Sequence, residues 1–375
     1  MPQTLSTAEL RRQNRNLIYH YLYHAKEPVT KQAISNTLSM SLPTVTQNFR
    51  DLMESGLIRW GHTLQSTGGR KPKTIEIVAD ARIAIGVEIA KETIRLVAVD
   101  LRGTRIADAL IYQPFSCSEE YYALLSTEIE RLIDTHHLNR DCLLGVGITL
   151  PGIVNAQTGM LEIAPSLNVR EVNLDPLFQR IPYPVRLEND ATAGGRAEGW
   201  NFHDDRLRAY LSVGEGIGGC ILFGSDPYLG QNGRAAEFGH MRIVPNGRLC
   251  QCGKHGCLEA YCSTTRLSTP FHCSLEGFFM RLRERTPRYS NAWEDYLDSL
   301  ALGINNIRMT LDCDIVLGGK LSQHLASYLG DLTSRLREMD SFESSRSYLS
   351  LSRMGPFTNA MGCALSFVQD FIRNI

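Results

Sequence analysis

The residues with the clearest chemistry lie in one short stretch, Glu237-Phe-Gly-His240 followed by Cys250-Gln-Cys252-Gly-Lys-His-Gly-Cys257-Leu-Glu259. Two histidines and three cysteines fall within eighteen residues. Three thiolates and one imidazole complete a tetrahedral zinc site, and four protein ligands leave no position for water, so the expected role is structural. Gly253 and Gly256 suit a chain that must curl around an ion. His255 is a competing imidazole inside the loop, and spacing alone leaves it and His240 both open. The plainer alternative is that the thiols are unliganded core residues. The other seven of the ten cysteines are scattered and carry no assigned chemistry.

A zinc staple needs a folded body around it, and the chain supplies one. At 375 residues it is long enough for two or three domains. Hydrophobic residues at 43% and charged residues at 21% are ordinary globular values. From about Arg82 the pattern alternates strands and helices: Ile83–Ile89, Ile94–Val99, a helical stretch to about Asp134, then apolar strands at Leu143–Leu150, Ala209–Val213, Cys220–Phe223 and Ile315–Leu317. These strands run into glycine-containing turns of the kind that cradle phosphates or sugars. An α/β fold follows.

The first 80 residues read differently. They hold ten Lys/Arg against six Asp/Glu, whereas the remainder is net acidic. Leu17, Ile18, Tyr21 and Leu22 recur at helical spacing from Arg15 to about Ala25. Thr30 caps a second short helix, and a third begins near Ser41 with Pro43 in its first turn and Val45, Phe49 and Leu52 on one stripe. Its other face offers Thr44, Thr46, Gln47, Asn48 and Arg50, side chains able to reach base edges or phosphates in a major groove. The strand, basic glycine turn and strand that follow place Arg70 and Lys71 at a wing tip. The pattern is a winged helix-turn-helix for operator double-stranded DNA, over residues 1–80; a small protein-interaction module is the plainer alternative. No segment reaches the roughly 20 apolar residues of a membrane span, and the chain is expected to be cytoplasmic and free of membrane.

Taken in order, Pro151-Gly152, Glu188-Asn189-Asp190, Gly214-Glu-Gly-Ile-Gly-Gly219, the zinc cluster and Leu317-Gly-Gly319 resemble the ROK family, whose name abbreviates repressor, open reading frame, kinase. With the head included the chain resembles the family's repressor branch. The resemblance implies a two-lobed, actin-like sugar-kinase domain over residues 81–375, with a zinc loop at 240–257. It prefers His240 over His255 as ligand, beside Cys250, Cys252 and Cys257. It makes Asn189, Asp190, Glu237, His240 and Glu259 the positions that meet a sugar or sugar phosphate, Asp190 standing where the family's kinases hold the general base. It also implies homodimers or homotetramers. The first phosphate turn departs from the family's Asp-x-Gly-Gly-Thr, reading Glu88-Ile-Ala90-Lys91-Glu92-Thr93, and Ser166-Leu167-Asn168 departs at a sugar-contacting position. Loss of both glycines obstructs backbone approach to a phosphate, so no catalysis is expected. An ATP-dependent sugar kinase with an accessory DNA-binding domain is the alternative.

Overall fold

A computed structural model of the chain describes residues 6–64, 72–155, 158–342 and 347–375. The head opens with helix α1 (Thr7–His24), which begins earlier than the apolar spacing indicates. Ser6 and Glu9 form a reciprocal capping box there, so polar capping, which periodicity does not register, extends the helix by two turns. Helices α2 (Lys31–Thr37) and α3 (Leu42–Glu54) are capped by the Thr30 and Ser41 hydroxyls, which accept from Ala33 and Thr44 N–H. Strands β1 (Ile58–Thr63) and β2 (Lys73–Ile77) pair antiparallel as the wing. The wing residues Arg70 and Lys71 lie outside the described residues.

The body consists of two lobes built on the same strand plan. In the first sheet the order is strand Val185–Asn189, β6 (Leu143–Leu150), β3 (Ile83–Ile89), β4 (Thr93–Asp100), β5 (Arg105–Tyr112). The neighbours Val185–Asn189, β6 and β3 are parallel, while β3, β4 and β5 form an antiparallel meander. The second sheet repeats the plan, with Asp226–Tyr228, Ile217–Phe223 and Leu207–Val213 antiparallel and Asp314–Gly318 and Leu349–Leu351 added in parallel. A three-stranded sheet of Ile153–Asn155, Met160–Ala164 and Val169–Asn173 accompanies the first lobe. The second lobe closes on a long helix, Pro287–Leu311, whose Trp293, Tyr296, Leu297 and Leu300 are buried against Phe278 and Phe279.

The C-terminal helix, Thr358–Arg373, ties the molecule together. Gly86 and Gly147 on the first sheet permit its backbone to approach so closely that a Cβ on either would fall 1.7 Å from the Ala360 carbonyl oxygen or 2.4 Å from that of Cys363. Gly362 likewise lies against the Ala193 carbonyl of helix Asp190–Gly199, hereafter the site helix. At its far end Ile372 and Ile375 join Ile18, Tyr19 and Leu22 of α1 in one buried cluster. Asn16 Nδ2 donates to the Arg373 carbonyl at 2.8 Å, and Tyr23 Oη to that of Leu101 at 2.6 Å. The head therefore shares its apolar core with the body across the expected boundary near residue 80.

Candidate functional site

The site forms where parallel strands of the first sheet end. Strand Val185–Asn189 runs directly into the site helix, with Asn189 as its N-cap. The Asn189 side-chain oxygen accepts from Ala191 and Thr192 N–H at 2.9 and 3.0 Å, and its Nδ2 donates to the Gly152 carbonyl at 2.8 Å. Both ends of the amide are thus held by backbone, which fixes the chain so that Asp190 starts the helix. Asp190 is half-buried and also accepts from Ala191 N–H. Burial, aided by the Glu88 carboxylate, pushes its pKa up to about 6, despite the favourable helix N-terminus.

Glu237 precedes the short 3-10 turn Phe238–His240, and burial raises its pKa, with the Glu259 carboxylate adding to the effect and His240 opposing it. Glu259 begins helix Glu259–Cys262. It faces two partners: its Oε2 accepts from Ile217 N–H at 2.9 Å and its Oε1 lies 3.6 Å from Cys250 Sγ. Gly216 leaves room for this carboxylate, since a Cβ there would meet Glu259 Oε2 at 3.0 Å. Glu259 therefore clamps the metal-ligand loop to the glycine turn 214–219, a role its type and spacing do not announce.

His240, Cys250, Cys252 and Cys257 converge, with their ligand atoms all within 4.8 Å of one another. Cys252 Sγ and Cys257 Sγ are 3.8 Å apart, and His240 Nδ1 is 3.9 Å from Cys250 Sγ. A tetrahedral ion with metal–sulfur bonds of about 2.3 Å requires sulfurs about 3.8 Å apart, so the four residues fit such an ion. Burial raises the Cys250 and Cys257 thiols, and a dication at their centre would reverse that by stabilising the thiolates. The His255 ring is turned away, its Nδ1 2.9 Å from the Gly247 carbonyl oxygen. Of the two histidines, His240 is the one that converges with the three thiols. Gly253 and Gly256 take φ of +81° and +82°, as the curled loop demands.

The segment expected to be the first phosphate turn is a tight hairpin in which Ala90 N–H donates to the Thr93 carbonyl at 2.9 Å. None of Ala90, Lys91 and Glu92 has positive φ, so the substituted residues sit there without backbone strain. Glu88 is held by Arg95 Nη1 at 3.2 Å and Asn359 Nδ2 at 2.9 Å. Lys320, which follows Gly318-Gly319, forms an ion pair with Glu215 at 2.6 Å. Asn168 adopts the left-handed conformation, φ 58°, after the turn Pro165–Leu167.

On the head, α3 places Thr46, Gln47 and Arg50 in the open and Thr44 half-buried, its hydroxyl 2.8 Å from Ser41 Oγ. Asn48 departs from the expected outer face. It is 2% exposed and its Nδ2 donates to the Thr44 carbonyl at 2.9 Å, because it lies beside Val45, Phe49 and Leu52 on the buried side of the helix. Asn48 is a packing residue.

The ROK family model matches residues 84–369. The chain is 25% identical over 357 residues to the xylose repressor of Bacillus subtilis (strain 168), covering 92% of each chain. A solved ROK family transcriptional regulator, a homologue of the E. coli MLC protein, matches with TM-score 0.78 and 22% identity over 97% of both chains. A ROK family glucokinase from Streptomyces griseus, in complex with glucose and AMPPNP, matches with TM-score 0.63 and 24% identity, covering 76% of this chain and 98% of that one. The body thus has the two-lobed sugar-kinase fold, and the kinase, nearly all of it matched, leaves about a quarter of this chain without a counterpart. From strand plan, metal-ligand cluster and matched span together, the chain belongs to the ROK family.

Proposed function

We propose that the protein is a sugar-responsive, DNA-binding transcriptional repressor that no longer phosphorylates its sugar. What supports the reading is an exposed polar face on α3, with Thr46, Gln47 and Arg50, on the same chain as a body of sugar-kinase fold in which Asp190 lies under the influence of the Glu88 and Glu237 carboxylates; the reading takes Asn189, Asp190, Glu237, His240 and Glu259 as the sugar positions. The head spans residues 1–80 and the body 81–375, and both act as part of a homodimer or homotetramer, since paired heads read paired half-sites. The chain works in the cytoplasm, where its operator is. Among the described residues, no helix is long and apolar enough to cross a membrane.

His240, Cys250, Cys252 and Cys257 would hold a structural zinc ion, which would brace the loop between Glu237 and Glu259. Ionised Asp190 accepts a hydrogen bond from a sugar hydroxyl, and Asn189 holds the helix start in register for it. A sugar or sugar phosphate that prefers one arrangement of the lobes shifts the spacing of two heads and so releases DNA, by a coupling of about 1 to 3 kcal/mol. A thermal-shift screen of sugars and sugar phosphates identifies the effector, because selective binding to the folded chain raises its stability. Titration of that effector with and without saturating operator then tests the coupling; equal affinities would end the reading, since linkage is reciprocal.

The kinase alternative draws on Asp190, whose raised pKa suits a general base. Against it stand the side chains at Ala90, Lys91 and Glu92 and the ion pair of Lys320 with Glu215. Turnover of about 1 per second or more with ATP, magnesium and a sugar panel would replace the repressor reading with it.

A further inference from the structure

Resting on the repressor reading, we propose that a polar relay, Glu188–Arg196–Gln369–Asp226, largely buried in its first three members, is the element through which the sugar site and the DNA head are coupled. Glu188 is the residue before Asn189 and Asp190, on the strand that feeds the site helix. Its Oε1 accepts from Arg196 Nη2 at 2.7 Å, and the two side chains are only 15% and 13% exposed. Arg196 Nη1 reaches on to Gln369 Oε1 at 2.6 Å, crossing from the site helix to the C-terminal helix. Gln369, itself 7% exposed, donates to Asp226 Oδ1 at 2.8 Å and Ser225 Oγ at 3.2 Å, and Arg373 one turn later also pairs with Asp226. The next link is the head. Ile372 and Arg373 present their carbonyls to Asn16 Nδ2 at 3.4 and 2.8 Å, and Ile372 packs against α1.

Two features make this relay more than a structural tie. The helices it joins pack backbone to backbone, with Gly362 against the Ala193 carbonyl, so a shift of the site helix has no soft side chain to absorb it. The ion pair is also incompletely made: Glu188 Oε2 and Arg196 Nε are both buried and without a hydrogen-bond partner, although they are the atoms that would complete a two-pronged contact. A small rotation of Arg196 relative to Glu188 exchanges the single bond for the fork and loosens the hold on Gln369. The fork would be the relay's second arrangement, and an element with two arrangements biased from both ends is what coupling between distant sites requires.

The test uses the full chain, with a thermal-shift hit from a panel of D-xylose, D-glucose, N-acetyl-D-glucosamine and their phosphates as effector, and a duplex selected by the wild-type chain from a random-sequence pool as DNA. Gln369→Met removes the relay's centre at nearly constant volume, Asp226→Ala removes its half-exposed outer anchor, and Asp370→Ala, which breaks the neighbouring surface pair with Arg186, is the control. The wild type is expected to change DNA affinity by at least about 5-fold on saturation with sugar. Either relay variant should bind sugar and DNA separately within about 2-fold of wild type while that ratio falls toward 1, and the control should keep it. Should the folded variants keep the wild-type ratio, the relay is wrong and the repressor reading stands. A wild-type ratio of 1 would overturn both. If Gln369→Met does not fold, Asp226→Ala alone decides by the same ratio.

Discussion

Asp190 gives the sharpest test, because its position in the site imposes a cost on the fold whose pH dependence is calculable. Its pKa stands at about 6 against an ordinary 3.8, chiefly through burial and secondly through the Glu88 carboxylate. A raised carboxyl pKa means that the folded state holds its proton more tightly than the unfolded state, so the destabilisation is complete above pH 6 and vanishes below 3.8. At pH 7.5 the penalty is about 3 kcal/mol, and at pH 5 about half that. Asp190→Asn is neutral at every pH and keeps an oxygen for the Ala191 N–H. The variant is therefore expected to be more stable than wild type at pH 7.5, by up to about 3 kcal/mol or several degrees in melting temperature. The gap should narrow to about half at pH 5. Thermal melts of both proteins across pH 5 to 8 measure it, and any loss of metal in acid is common to both and cancels. The same variant should bind sugar about 10- to 100-fold more weakly, having lost a charged acceptor. A stability gap that is flat or widens as pH falls would refute the assignment of Asp190 as a half-buried carboxylate whose ionised form the fold disfavours.

The other predictions concern the metal loop, the packing and the head. Purified protein should carry about one zinc per chain by elemental analysis; His240→Ala and Cys252→Ser should lose most of it and His255→Ala should keep it, while chelation should lower the melting temperature. Gly362→Ala drives a Cβ to 1.7 Å from the Ala193 carbonyl oxygen, so denaturant unfolding should register a loss of about 1 to 3 kcal/mol or more, whereas Gly233→Ala, in open space though at φ +64°, should cost less. Arg50→Ala and Gln47→Ala should weaken DNA binding by about 1 to 3 kcal/mol in a fluorescence-anisotropy titration. Asn48→Ala should instead lower stability by about 1 kcal/mol, through its lost bond to Thr44, and leave base preference unchanged.

Much of the architecture is legible locally because it rests on local chemistry. The Thr30 and Ser41 caps, Pro43 in the first turn of α3, the apolar strand Leu143–Leu150 and the compact Cys/His spacing each have a cause within a few residues, and each stands where the spacing indicates. β5, Arg105–Tyr112, escapes because its inward residues are interrupted by exposed Ile106, Leu110 and Tyr112, so its pattern lacks clean alternation. Asn48 escapes because residue type suggests an outer face while helix phase sets the inner one.

What the sequence by itself determined, then, is the α/β class of the body, a compact group of three thiols suited to a metal, and the presence of a helix-turn-helix. Tertiary structure decided whatever depends on residues far apart in the chain. It turned His255 toward Gly247 and brought His240 to the thiols, bound Glu259 to Ile217, and set Glu88 between Arg95 and Asn359. It also made the C-terminal helix the shared wall of head, sheet and site helix. The reason is physical: caps and periodicities are satisfied by neighbours in sequence, whereas a buried carboxylate or a glycine contact is defined only by the surface that folding brings against it.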